Sequence, residues 1–204
     1  MNPSPFNDFI LHNSKRNGNV LLITEEDYVD TDETPPGGCR GQGKFETWSL
    51  ANMTPGGITP LDTWSTELNG FLVGGPPDSK APVTVNCSSH WFDASKDIAA
   101  VGWYEQGTRF LDVSNPRKIR QVGYYIPANG STWAAYWSPT DPSRSIVYTT
   151  DAYLGVDVLK IARKSKNADM ETLVAPIPNE WWGDTPLFTY TPSARWTYFC
   201  PRLP

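Results

Sequence analysis

The chain has 204 residues and a formal charge of −5, with 39% hydrophobic and 13% aromatic residues. That much apolar side chain buries a core, which excludes a wholly disordered chain. The lack of an 18-residue apolar run excludes a transmembrane helix, and an acidic balance without a basic patch argues against nucleic acid as a partner.

The helix period is nearly absent. Sixteen glycines, 19 prolines and nine tryptophans stand in place of the Ala, Leu, Glu and Lys surplus of a helical bundle. Met1-Asn2-Pro3-Ser4-Pro5 has neither a charged n-region nor an apolar h-region, so no signal peptide is expected in the chain as given. Short runs rich in Val, Ile, Tyr, Trp and Thr predict strands at 20–24, 45–50, 88–92, 98–104, 109–113, 120–126, 133–137, 146–150 and 156–161. Asn115-Pro116, Asn129-Gly130, Ser138-Pro139 and Asp141-Pro142 are stops between them.

An internal repeat organises these runs. The segment from Glu105 to Val113 aligns with that from Tyr153 to Ile161, and their glycines, Gly107 and Gly155, are 48 residues apart. Each glycine follows an apolar strand and precedes another. A looser copy begins at Gly43, after an acidic, Gly- and Pro-rich insert. The hairpin from the second to the third strand needs a residue tolerant of positive φ, which explains the glycine. A period of about 40–50 residues with about four strands per unit is the pattern of propeller blades. The expected fold class is therefore all-β: four-stranded antiparallel blades forming a partial β-propeller of about three to four blades. Residues 1–165 hold the blades, at about 7–75, 83–127 and 128–165. A Pro- and Trp-rich segment, 166–204, packs on or closes the last one.

These residues resemble the LVIVD-repeat family of β-propeller proteins. The likeness is strongest at Phe110-Leu111-Asp112-Val113-Ser114-Asn115-Pro116 and Arg120-Gln121-Val122-Gly123-Tyr124. It extends through Trp133–Trp137 and Val147-Tyr148-Thr149-Thr150-Asp151, and upstream to His12-Asn13-Ser14 and Thr24-Glu25-Glu26-Asp27-Tyr28. The resemblance implies a propeller, often secreted or surface-exposed, without a settled activity. A closed propeller needs at least four blades, so completion by further blades or by a second subunit is expected.

Two histidines, His12 and His90, fall at corresponding places near the innermost strands: His12 stands 13 residues before Glu25, and His90 stands 14 before Tyr104. Inner strands face the central channel of a propeller. Two imidazoles there suit copper, zinc or iron, with Glu25, Glu26 or Asp151 supplying oxygen. The plainer reading is that both rings bond to nearby backbone. The acidic stretch containing Glu25, Glu26, Asp27, Asp30, Asp32 and Glu33 does not match an EF-hand loop and reads as a solvated loop. Glu25, Glu26, Tyr104, Arg109 and Asp151 are the candidate ligand-binding residues at the channel mouth. Arg109 either clamps a carboxylate or pairs within the fold with Asp112 or Asp93. Trp91, Trp103, Trp133 and Trp137 read first as inter-blade packing; so do Trp181, Trp182 and Trp196 in the Pro-rich tail, with a surface platform as their second reading. Ser89 and His90 point to opposite faces of a strand, which argues against a Ser–His nucleophile.

Three cysteines, Cys39, Cys87 and Cys200, form no Cys-x-x-Cys pair. They are either a disulfide with one odd thiol or three reduced thiols, according to compartment. Cys39 and Cys87 fall in linkers before strands of neighbouring units, which makes them the candidate pair. The function expected first is a non-catalytic binding scaffold, extracellular or at the cell surface, for a protein or small-molecule partner. The alternative is a metal-dependent propeller enzyme with a divalent ion on a His/carboxylate site.

Overall fold

The computed structural model describes residues 10–27, 43–54, 57–66, 87–127, 130–161, 172–173 and 175–176. The architecture is all-β. No helix among the described residues is long and apolar enough to cross a membrane. The strands are β1 (Ile10–Asn17), β2 (Val20–Glu26), β3 (Phe45–Thr54), β4 (Gly57–Trp64), β5 (Phe92–Ser95), β6 (Ile98–Gly102), β7 (Thr108–Asp112), β8 (Arg120–Tyr125), β9 (Thr132–Trp137), β10 (Ile146–Asp151) and β11 (Gly155–Lys160). Two short pairings follow, β12 (Thr172–Leu173) and β13 (Ala175–Pro176).

Three antiparallel meanders result, ordered β1-β2-β3-β4, β5-β6-β7-β8 and β9-β10-β11-β13, with β12 added in parallel to β8. Each is a propeller-like blade. The first strands lie side by side, joined by polar side chains. Asn13 Nδ2 donates to the Phe92 carbonyl at 3.0 Å and Asn17 Nδ2 to that of Lys96 at 2.7 Å. Lys15 pairs with Asp93, whose other oxygen accepts the Trp137 N–H at 3.1 Å.

The middle sheet is buried on both faces. Ala99, Val101 and Leu111 join Leu22, Phe45 and Trp64 of the first sheet in one apolar cluster. Ala100 and Phe110 turn the other way, to Ala135, Trp137, Val147 and Leu159 of the third. This explains why 98–102 reads as a continuous apolar run instead of an alternation. Edge-to-face rings fasten the first interface, with Trp64 and Trp103 centroids 5.0 Å apart and Phe45 and Phe92 centroids 5.2 Å apart.

Two differences from the sequence reading have clear causes. β1 and β4 were not among the runs read as strands, although four strands were expected in the first blade: Ile10–Asn17 is largely polar, and its ladder partner rather than its own pattern makes it a strand. The strand expected at 88–92 begins only at Phe92. The stretch before it divides its backbone bonds among the three sheets. Ser89 N–H donates to the Gly43 carbonyl, His90 N–H to that of Gly102 and Trp91 N–H to that of Trp133, at 2.9, 2.9 and 3.1 Å.

Gly107 and Gly155 adopt φ of +74° and +94°, as their place in the repeat requires. A Cβ on Gly107 would lie 2.2 Å from the Tyr125 carbonyl oxygen, whereas one on Gly155 would meet nothing within 4 Å. Gly155→Ala should therefore cost about 1–2 kcal/mol for the left-handed backbone alone. Gly107→Ala should cost at least about 3 kcal/mol, because backbone must also move. Urea denaturation of the pair checks this; equal losses would contradict the close approach of β7 to β8.

Asp157 accepts the Tyr125 phenol at 3.0 Å across the second interface. Burial, the largest influence, and nearby Asp151 push its carboxyl above the ordinary carboxylate range, against the opposing Tyr125 bond. A raised folded-state value means that its stabilising contribution is full below the unfolded carboxylate range and fades as pH rises through the higher folded one. Asp157→Asn, which still accepts the phenol, should match the native protein near pH 3 and become relatively more stable by pH 6–7 in thermal melts. A constant difference across that range would contradict this reading.

Candidate metal centre

His12, Glu26 and His90 come together where the first and second sheets meet. Each places one ligand atom within 4.8 Å of the others. His12 sits at an irregularity in β1: Leu11 faces Glu25 and Asn13 faces Thr24, leaving His12 as the extra residue. Such a bulge re-aims a side chain out of the simple alternation. Glu26 is the last residue of β2.

His90 arrives by a different device. Ser88 Oγ accepts the Asp27 N–H at 2.7 Å, and Ser89 Oγ contacts the carbonyls of Glu25 and Lys44 at 2.8 and 2.9 Å. The two buried serines thus clamp residues 88–90 onto the end of β2. They position the histidine and form no nucleophile with it. Cys87, just before them, is buried and disulfide-bonded, and its expected partner Cys39 lies outside the described residues.

The separations suit a metal ion. His12 Nε2 is 3.5 Å from Glu26 Oε2, and His90 Nε2 is 3.4 Å from Glu26 Oε1. Two ligands held at about 2.0–2.1 Å from one ion at a tetrahedral angle stand about 3.3–3.4 Å apart. The side chains are 14%, 10% and 8% exposed for His12, Glu26 and His90, so the donors are largely stripped of water.

The protons are equally telling. His90 Nδ1 lies 2.7 Å from the Trp133 carbonyl oxygen, which can only accept. Nδ1 therefore carries the hydrogen, and in the neutral ring the Nε2 lone pair faces the Glu26 carboxylate. That encounter is favourable only with positive charge between them, either a proton or a metal ion. A backbone acceptor on the far nitrogen is the usual support of a metal-bound histidine. Burial, the main influence, holds His12 below the ordinary histidine range; Glu26 opposes this and His90 adds to it. The buried His12 Nδ1 has no hydrogen-bond partner among the described residues.

Aromatic rings enclose the cluster. The two imidazole centroids are 4.2 Å apart; Trp91 meets His12 edge-on at 5.9 Å, and Trp133 lies 5.3 Å from His90. Tyr104 donates its phenol hydrogen to Glu26 Oε1.

Of the residues singled out in the sequence, His12, His90, Glu26 and Tyr104 converge here. The other three lie elsewhere. Glu25 is fully buried beside Lys44, whose Nζ is 3.7 Å away. Arg109 is fully buried inside its own sheet, donating to the Gln106 carbonyl, Gln106 Oε1 and Gln121 Oε1, with its guanidinium 5.3 Å from the Tyr124 ring centre. It faces neither Asp112 nor Asp93 in these bonds. Asp151 caps the β10–β11 hairpin, accepting the Tyr153 and Leu154 N–H groups at 2.9 and 3.1 Å. Sequence reasoning missed the Ser88–Ser89 clamp and the Trp133 carbonyl. The two serines side by side before His90 were the available signal for the first; a backbone acceptor leaves none.

No protein-family model matches this chain, and no curated protein matches it either.

Nitrogen-15 NMR of metal-free protein should find a proton on His90 Nδ1. An unprotonated Nδ1 would contradict its bond to the Trp133 carbonyl and the arrangement built on it.

Proposed function

We propose that this chain is a metal-binding β-propeller-type protein that holds one divalent transition-metal ion between His12, Glu26 and His90. The observation that carries the reading is the facing of the His90 Nε2 lone pair and the Glu26 carboxylate at 3.4 Å, with His12 Nε2 closing the third side. Two imidazoles and one carboxylate suit zinc, iron or copper better than calcium or magnesium. Three protein donors leave coordination positions open for water or a substrate oxygen, as catalytic rather than purely structural sites do. The chain's own part is to fix three donors in a buried, aromatic-walled recess.

The binding-scaffold reading stands second, favoured by the repeated sheets, which are fastened to one another by buried polar side chains such as Thr47, Ser89 and Thr108. A location outside the reducing cytoplasm is part of the proposal and is supported by the disulfide at Cys87. Membership of the LVIVD-repeat propellers is likewise proposed, supported by the meanders that recur with Gly43, Gly107 and Gly155 at positive φ.

Titration calorimetry with Zn²⁺ on chelator-treated protein should give one site per chain. Glu26→Gln and His12→Ala should each weaken it at least about 100-fold, since each removes one of three donors. Failure of the native, folded protein to take up Zn²⁺, Co²⁺, Fe²⁺ or Cu²⁺ at micromolar concentration would overturn the metal reading and leave the scaffold.

A further inference from the structure

We infer that Tyr104 is a positioning residue for this centre: its phenol anchors one oxygen of Glu26 so that the carboxylate is held ready for the ion. The inference rests on the proposed metal site and deepens it. Tyr104 belongs to the second sheet's β6–β7 turn, whereas Glu26 ends β2 of the first, so the bond between them crosses the interface. Both residues are buried, at 8% and 7% exposure. A glutamate has three side-chain torsions to fix before it can serve as a rigid ligand. The phenol binds Oε1, the oxygen that also faces His90, and Oε2 is turned to His12. The hydroxyl therefore selects one carboxylate orientation, the one that presents an oxygen to each imidazole.

The backbone points the same way. Tyr104 has φ of +39°, in the left-handed region that a bulky side chain seldom adopts. The surrounding turn enforces it. Gly107 and Thr132 N–H groups both donate to the Tyr104 carbonyl, at 3.0 and 2.8 Å, and the Gln106 N–H to that of Trp103 at 2.8 Å. Thr132 opens β9, so the third sheet helps hold the residue that orients the ligand between the other two. Strain of this kind persists where surrounding structure over-determines it, and sites of function are where it collects. The His90 ring, 5.4 Å from the Tyr104 ring, packs against the same phenol.

Tyr104→Phe keeps the ring and removes the hydroxyl. Cobalt(II) is the probe, because its visible absorption reports coordination geometry as well as occupancy. Tyr125→Phe is the control: it also removes an inter-sheet phenol–carboxylate bond, that to Asp157, away from the three ligands. Tyr104→Phe should bind Co²⁺ about 10–100-fold more weakly than the native protein, the usual effect of losing an outer partner of a ligand. Its bound spectrum should change in intensity and position as Glu26 is freed. Tyr125→Phe should bind Co²⁺ with native affinity and spectrum. Native affinity and an unchanged spectrum in Tyr104→Phe would overturn the positioning role while leaving the metal site standing. Equal weakening in both variants would overturn it too, by tracing the loss to general loosening. If native protein and control both fail to bind Co²⁺, the metal reading falls and this inference with it.

Discussion

The middle sheet's burial on both faces is the constraint on which the rest of the molecule depends. A sheet that turns Ala99, Val101 and Leu111 to one neighbour and Ala100 and Phe110 to the other cannot tilt or slide without opening two apolar interfaces at once. At about 25 cal/mol per Å² of apolar surface, each well-buried Phe or Leu there contributes roughly 2–3 kcal/mol relative to exposure. Its small residues matter as much as its large ones. Three consecutive alanine or valine positions, 99–101, let the flanking sheets approach closely enough for Trp64 and Trp137 to reach the core.

Once the sheets are stacked in this way, their first strands must run side by side, and the ends of their second strands must meet. The polar residues on those edges then have little choice of partner. Asn13, Lys15 and Asn17 tie the first sheet to the second, and Asp93 ties both to the third. The same geometry sets Glu26, His90 and Tyr104 in one recess, and the bulge at His12 turns a third donor into it. The cluster combines one carboxylate with two imidazoles, and burial holds His12 below the ordinary histidine range.

Much of this was legible in the sequence, for physical reasons that can be named. Glycine is favoured where a turn needs positive φ, so the 48-residue spacing of Gly107 and Gly155 displayed two blades and the looser copy at Gly43 a third. His12 and His90 could be paired because each precedes a repeated strand by a similar interval. The choice between Glu25 and Glu26 was not legible. Adjacent strand residues face opposite ways, and the irregularity beside Glu25 that settles which one meets His12 depends on register, which a single strand does not record. Arg109 read either as a ligand clamp or as an internal partner of Asp112 or Asp93, because a charge in an apolar strand needs a partner; the structure gives it amide and backbone oxygens inside the same sheet. Polar β1 was invisible because it is held by its neighbours rather than by its own pattern.

The central claim is that two imidazoles and one carboxylate from two different sheets bind a single ion. X-ray absorption on protein loaded with one equivalent of Zn²⁺ tests it most directly. The expected first shell is low-atomic-number donors at about 2.0–2.1 Å, with the outer-ring scattering of two imidazoles. A shell containing sulfur at about 2.3 Å, or one without imidazole scattering, would contradict it.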